Sequence, residues 1–361
     1  MSPLSADGRV ARAVAAFEGV AVGDALGHPA DHHRAAREPW LRGAVWSGTV
    51  ELDAQRVSRP LMPFALTLDT GALTGTDDTE ALVVAARSLL VSARDSADGL
   101  SGALSADAVF DAWLAEFDPL DWAGPAERIA ALGAARGLRS PVTGRDNPAR
   151  GDDSAVVAGV AAGALFAGAP RDAARAAEAY ASIAHADDGV WATGAFAAAI
   201  SLLLDGESIE AAVGTASATL PEDSWTAATL AELEPVVRTG GTGFEALPEM
   251  LAVVGPRDYS HPSLAARTVP AAFALVRLTA GRFEEALPLA LSVSRLSDSL
   301  PSLIGALCGA SGSALPARWD AVWRGGSLGD LGTAAGVLQP RTRGASLGGL
   351  ARELLTLGGR G

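Results

Sequence analysis

Apolar residues recur along this chain with the 3.6-residue period of helices that face a core, and no stretch alternates apolar and polar residues clearly enough to predict a strand. The first such segment covers residues 10–22 and runs into Gly23-Asp24-Ala25-Leu26-Gly27, where the glycines allow either a sharp turn or close packing of helices. Residues 28–75 lose the period and carry Pro29, Pro39, Pro60 and Pro63; a stretch that long predicts a lid or binding loop. Helical periodicity returns over 80–94, 106–117 and 126–136. A Pro/Gly/Asp-rich loop over 138–153 leads into 154–166, which is apolar on nearly every side and so belongs at the centre of the fold. Further helices are predicted over 171–183, 189–204, 209–218, 222–238, 264–278, 283–294, 299–310 and 346–357, with Gly240-Gly241 as a C-terminal cap signal. Pro235, Pro270 and Pro288 predict kinks, breaks or later starts in their helices. No repeat of fixed length emerges, and no linker interrupts the chain. The expectation is an all-α protein with one domain over residues 1–361, although the length alone would suit two.

Composition narrows the function classes. Hydrophobic residues make up 49% and aromatics only 5%, so Ala, Leu and Val fill the core, and Ala allows close approach of helices. The formal net charge is −14, which argues against a nucleic-acid backbone or an anionic membrane as a partner. Lysine is absent; so general a replacement by Arg reads as genomic composition rather than phosphate recognition. The one cysteine, Cys308, lies in an apolar run and reads as a small buried hydrophobe. A lone cysteine forms no intrachain disulfide, residues 1–12 lack a signal-peptide core, and no window offers about 18 uninterrupted strongly apolar residues. These features predict a cytoplasmic location.

Four polar segments carry candidate chemistry. Thr76-Asp77-Asp78-Thr79-Glu80 precedes an apolar helix and has the spacing of a capping box, with Asp77 at the cap and Glu80 three residues on. The same residues offer adjacent carboxylates and a hydroxyl, the oxygen donors that Mg2+ or Ca2+ requires. A helix N-terminus repels cations, so a metal there needs further carboxylates from elsewhere in the chain. Leu296-Ser297-Asp298-Ser299-Leu300-Pro301 is a second acidic helix start, with Asp298 or Ser299 as the cap. Gly151-Asp152-Asp153-Ser154 enters the central helix, either as a plain acidic cap or as a loop whose N–H groups cradle an anion, which the two aspartates oppose. His185 stands alone between two helices, where a hydrogen-bonded structural role is the simpler reading.

Taken together and in order, these motifs resemble the ADP-ribosylglycohydrolase family over residues 14–319. Gly23 to Pro29 resembles its N-terminal signature, and Thr76-Asp77-Asp78-Thr79 its first metal-binding motif. Gly151 to Ala155 falls where the family contacts the ADP-ribose diphosphate. His185 resembles a Thr-His position with Ala184 in place of Thr, and Leu296-Ser297-Asp298-Ser299 resembles the second metal motif, Asp-x-Asp-Thr. The resemblance implies an orthogonal multi-helix fold around two Mg2+ ions that orient ribose hydroxyls and activate water. Thr76, Asp77, Asp78, Asp298 and Ser299 would be the ligands, with Asp77, Asp78 and Asp298 as the catalytic carboxylates. Asp24, Gly151, Ser154 and His185 would contact substrate.

Three positions depart from that pattern. Leu296 removes a carboxylate ligand, which implies one well-held Mg2+ and a second ion weak or absent. Asp152 and Asp153 stand where the family has small or neutral residues, against diphosphate. Val157 stands where many members carry Arg. The implied function is Mg-dependent hydrolysis of an ADP-ribosyl or related N- or O-glycosidic bond, on a small-molecule or ADP-ribosylated substrate. The alternative is a catalytically inactive family member with a ligand-binding or structural role.

Overall fold

A computed structural model of the chain describes residues 4–35, 77–95, 104–116, 124–239, 241–255, 263–293, 296, 299–317 and 345–359, without the side chains of 28–35. The described residues hold fifteen helices and no sheet: α1 (Ala6–Ala35), α2 (Asp77–Arg94), α3 (Ala106–Glu116), α4 (Pro125–Ala134), α5 (Val142–Arg145), α6 (Ala158–Leu165), α7 (Pro170–Ala181), α8 (Asp188–Asp205), α9 (Ile209–Ser217), α10 (Trp225–Arg238), α11 (Gly243–Val254), α12 (Ala265–Leu278), α13 (Phe283–Ser292), α14 (Ser299–Ala310) and α15 (Leu347–Gly358). The only pairing of extended backbone among them is an isolated antiparallel bridge between Asp152 and Leu264.

Helices α6, α8, α12 and α14 form the middle of the fold. Every residue of α6 and of α14 is buried, and α8 packs against α6, α7, α9 and α12. The core side chains are mostly Ala, Leu and Val, with Phe196 and Phe273 stacked in parallel between α8 and α12. Helix α8 alone among the described helices is long and apolar enough to cross a membrane; 72% of that window is buried inside the protein, as a core helix would be.

The most extensive contact joins α1 to α14, and it overturns the expected turn at Gly23–Gly27: α1 runs straight through it. The glycines serve the second use open to them, close helix packing. A Cβ on Gly19 would stand 2.2 Å from the Gly305 carbonyl oxygen, and one on Gly23 would stand 2.0 Å from that of Pro301. Reciprocally, a Cβ on Gly305 would lie 1.9 Å from the Gly19 oxygen, and one on Gly309 would lie 2.2 Å from that of Ala15. Glycines four residues apart on both helices thus bring two backbones into direct contact, and the seam delivers Asp24 and Ser299 to the interior.

Other boundaries also moved. Helix α2 starts three residues early, so Asp77 and Asp78 lie in its first turn. The central segment starts late: residues 153–160 wind with i→i+3 hydrogen bonds before α6 opens. Prolines 235, 270 and 288 lie inside α10, α12 and α13, which continue through them. Helix α11 went unpredicted although Thr242 and Glu245 form a capping box, with Glu245 accepting from the Thr242 N–H at 2.7 Å. Much of the expected loop over 28–75 lies outside the described residues.

Candidate functional site

The first turn of α2, the loop before α6 and the turn between α7 and α8 meet around a cleft. Its polar lining comes from Asp77, Asp78, Glu80, Glu127, Ser154 and His185. Its apolar wall comes from Val84, Trp113, Val157, Tyr180 and Ile183. Four residues expected to be catalytic or to contact substrate, Asp77, Asp78, Ser154 and His185, therefore share one cavity, although as many as 108 positions separate Asp77 from His185.

Asp24 holds the rim. Buried on α1, it accepts from the Thr79 backbone N–H at 3.0 Å and from the Thr79 hydroxyl at 2.5 Å, all through Oδ2. One carboxylate thus satisfies a free donor at the N-terminus of α2 and fixes the turn that presents Asp77 and Asp78. Asp24 acts as a brace between α1 and α2; it is not among the residues that line the cleft.

The opposite wall is a chain of buried polar groups. His185, 1% exposed, donates from Nε2 to Asp152 Oδ1 at 2.7 Å. Ser154 Oγ lies 2.9 Å from that same Oδ1, 2.6 Å from Glu127 Oε1 and 3.2 Å from His185 Nε2. Burial alone would raise the Asp152 carboxyl, but the His185 charge and hydrogen bond, with those of Ser154, hold it below the usual range. Burial would likewise lower His185, and the neighbouring charges of Asp152 and Glu127 raise it instead. Burial, reinforced by Asp152, pushes Glu127 up. These directions fit an ionised Asp152 paired with a protonated His185. The single hydroxyl proton of Ser154 can be donated to Glu127 Oε1 or to Asp152 Oδ1, one at a time. Asp152 and Ser154 both meet Nε2, which differs from a Ser-His-Asp triad, where they engage opposite ring nitrogens.

Backbone constraints set the His185 turn. Ala186 N–H donates to the Arg150 carbonyl at 3.1 Å, and Arg150 pairs with Asp187 at 3.3 Å. Asp187 takes the left-handed φ of 52°. A Cβ on Gly144 would stand 2.2 Å from the His185 carbonyl oxygen, so α5 presses directly on this turn. The Asp152 loop is tied from the other side, where Ala265 N–H donates to the Gly151 carbonyl at 3.1 Å. Gly151 itself does not line the cleft.

Asp153 points elsewhere. It accepts from the Thr268 hydroxyl at 2.5 Å and the Ser299 hydroxyl at 3.1 Å, linking the loop to α12 and α14. Leu296 is 2% exposed within the hydrophobic core. Thr76 and Asp298 lie outside the described residues. Among the described residues no three His, Cys, Asp or Glu side chains converge as a ready metal site. The donors at the rim are nonetheless all oxygen, in keeping with a hard cation.

Glu127 had escaped the sequence reading, as had the aromatic wall. The signal for Glu127 was present: Gly124-Pro125 opens α4 and Glu127 follows at its third position, where an acidic residue reaches back toward the cap. Its Oε2 lies where a Cβ on Gly124 would stand, 2.5 Å away. The aromatic lining, by contrast, depends on how α3 and α7 pack, and no local pattern announces it.

Comparison with known proteins now adds to this geometry. No curated protein matches the chain. A solved structure described as an "ADP-ribosylglycohydrolase-related protein complex" is similar in fold, with 21% identity, a TM-score of 0.57, and coverage of 98% of this chain and 99% of that one. Residues 5–346 match the model of the ADP-ribosylglycohydrolase family, and over that span the chain belongs to this hydrolase family.

Proposed function

We propose that the cleft is the active site of a Mg-dependent hydrolase acting on an ADP-ribosyl or related N- or O-glycosidic bond. The observation that carries this reading is the convergence of Asp77 and Asp78 with Ser154 and His185 on one cavity. Thr76, Asp77, Asp78, Asp298 and Ser299 would hold the ion, which when bound would polarise oxygen and lower the pKa of water. Asp77 or Asp78 would take the proton of the attacking water. Asp24 would keep the first turn of α2 in place through Thr79. Asp153 would orient the Ser299 hydroxyl, accepting its proton and leaving the oxygen lone pairs for the ion. With Leu296 carrying no donor, one ion would be well held and a second weak or absent. We place this chemistry in one domain of a cytoplasmic protein, on the single cysteine and the acidic charge.

The test joins Mg2+ titration calorimetry to hydrolysis of ADP-ribosylated substrates. Wild type should bind one ion, Asp77→Ala should abolish binding and turnover, and Leu296→Asp should add a second ion. Wild type that binds no Mg2+ and cleaves nothing would leave the second reading, an inactive family member. The burial of Leu296 in the core favours that reading, because an apolar side chain there stabilises without ligating.

A further inference from the structure

The chain carries a net charge of −14, yet the segment that forms one edge of the cleft is basic. Residues 124–150 hold Arg128, Arg136, Arg139, Arg145 and Arg150 against Glu127 and Asp146, and all five arginines are exposed. Two of them serve neighbours: Arg139 pairs with Asp107 and Asp111 on α3, and Arg150 pairs with Asp187. The same segment is apolar where it meets solvent. Seven large hydrophobic side chains are exposed among the described residues, and three of them, Leu132, Leu138 and Val142, lie here. They gather where α4 packs on α5. Leu132 adjoins Gly133, Val142 adjoins Thr143, and a Cβ on Gly133 would meet Thr143 at 3.3 Å and Leu138 at 3.7 Å.

The outer face of α4 orders these groups into a stripe. Arg128, Leu132 and Arg136 are exposed and stand four residues apart, so they share a face at about 6 Å from one to the next. Gly124 and Glu127, at the start of the same helix, line the cleft. The stripe therefore begins beside the cleft and leads away from it over about 12 Å. An extended polypeptide advances about 6.6 Å every two residues and turns alternate side chains to one face. The two spacings match. A segment of the pattern acid–x–apolar–x–acid sets its carboxylates against Arg128 and Arg136 and its apolar side chain against Leu132.

We infer that the outer face of α4 docks an extended acidic segment of a partner polypeptide, one that carries the substrate group to the cleft. Charge complementarity names the partner, since this face is positive on a chain that is otherwise acidic. An apolar centre flanked by arginines is the anatomy of a protein interface. A polyphosphate backbone or an anionic bilayer would meet the repulsion of the whole −14 charge. This deepens the proposed function and rests on it for the role of the cleft: the scissile group is borne by a protein rather than by a free metabolite.

The test follows labelled peptides by fluorescence anisotropy without Mg2+, built around Glu-Gly-Leu-Gly-Glu, Glu-Gly-Gly-Gly-Glu and Lys-Gly-Leu-Gly-Lys. The first should bind wild type saturably, the second about five-fold more weakly for want of the leucine contact, and the third not at all. Arg128→Glu combined with Arg136→Glu should weaken the first peptide at least about ten-fold, with circular dichroism confirming the fold. Arg171→Glu, at an exposed arginine on α7, should leave its binding unchanged. No binding of the first peptide to wild type, equal binding of the first two, or tighter binding of oligouridylate or phosphatidylserine vesicles overturns the inference. So does a loss in Arg171→Glu as large as in the double variant, or a dimer in sedimentation that Leu132→Glu dissolves. The wild-type results depend on no variant folding. The two proposals fail separately. Mg2+ binding and ADP-ribosyl hydrolysis by a protein that ignores the peptide remove this inference and leave the function standing. Peptide binding by a protein that binds no Mg2+ does the reverse.

Discussion

The seam between α1 and α14 and the polar wall of the cleft are both buried, both made by residues far apart in sequence, and held by opposite means. The seam works by leaving atoms out: Gly19, Gly23, Gly305 and Gly309 let backbone touch backbone. The wall works through charge and hydrogen bonds among Glu127, Asp152, Ser154 and His185. A steric seam has no graded response, because a close-packed interior cannot absorb an added atom where no side chain can rotate away. An electrostatic wall responds by degrees, through protonation and through loss of single partners. The protein thus places its least adjustable contact beneath the rim that presents Asp77 and Asp78, and its most adjustable one in the wall of the cleft.

The largest effect is expected at the seam. Gly305→Ala would put a Cβ 1.9 Å from the Gly19 carbonyl oxygen, so the helices must separate. Overpacking commonly costs about 1–3 kcal/mol, and backbone against backbone should reach or exceed about 3 kcal/mol here. Urea denaturation followed by circular dichroism would measure it. A variant with wild-type stability would mean that α1 and α14 do not lie as close as described.

The wall should break next. Asp152→Asn leaves the imidazolium of His185 buried without its counter-charge, and removing one member of a buried pair costs about 3–5 kcal/mol. His185 answers part of that loss by giving up its proton, so the measured figure should fall toward the lower end. Adding His185→Gln to Asp152→Asn should cost far less than the sum of the two single changes, since both remove the same pair. Additive losses would show that the two residues are not coupled.

That contrast also explains what the sequence made legible. Helix periodicity exposed nearly every helix of the core, and the acidic helix starts at Asp77 and Ser154 marked two sides of the cleft before any coordinates. The Gly23 to Gly27 segment offered two uses for glycine, and only the partner helix decides between a turn and a seam. Gly23 approaches Pro301, 278 positions away, and Gly19 approaches Gly305, 286 positions away, and contacts so distant leave no trace in a local window. Glu127 had a local signal as a helix-start glutamate, but its second role, facing Ser154 and His185, arises only when α4 meets the loop before α6. The bond of Thr268 to Asp153 gave no local signal, because it spans 115 positions.

The wall should also show its sign in pH. The folded-state value of His185 is raised, so the pair's contribution is full below the ordinary histidine value of about 6.5 and fades as pH climbs through the raised value. Asp152 is lowered, so its contribution is present above about pH 3.9 and fades as pH falls through the depressed value. The stability gap between wild type and His185→Gln should therefore be widest between those limits and narrow on both sides. A gap that grows with pH above about 6.5 would reverse the assignment of the imidazolium.

The smallest effect sharpens the comparison from outside both regions. A Cβ on Gly214, in α9, would meet nothing within 4 Å, and its φ is not left-handed. Gly214→Ala should therefore raise stability by about 0.4–1 kcal/mol, because alanine gives up less backbone freedom on folding. The substitution adds the same single carbon as Gly305→Ala, also inside a helix, so propensity favours both variants equally. Whatever separates their denaturation midpoints is the steric term of the seam alone. If Gly214→Ala also destabilises strongly, loss at Gly305 cannot be credited to the contact with α1, and the seam loses its claim to be the fold's least adjustable element.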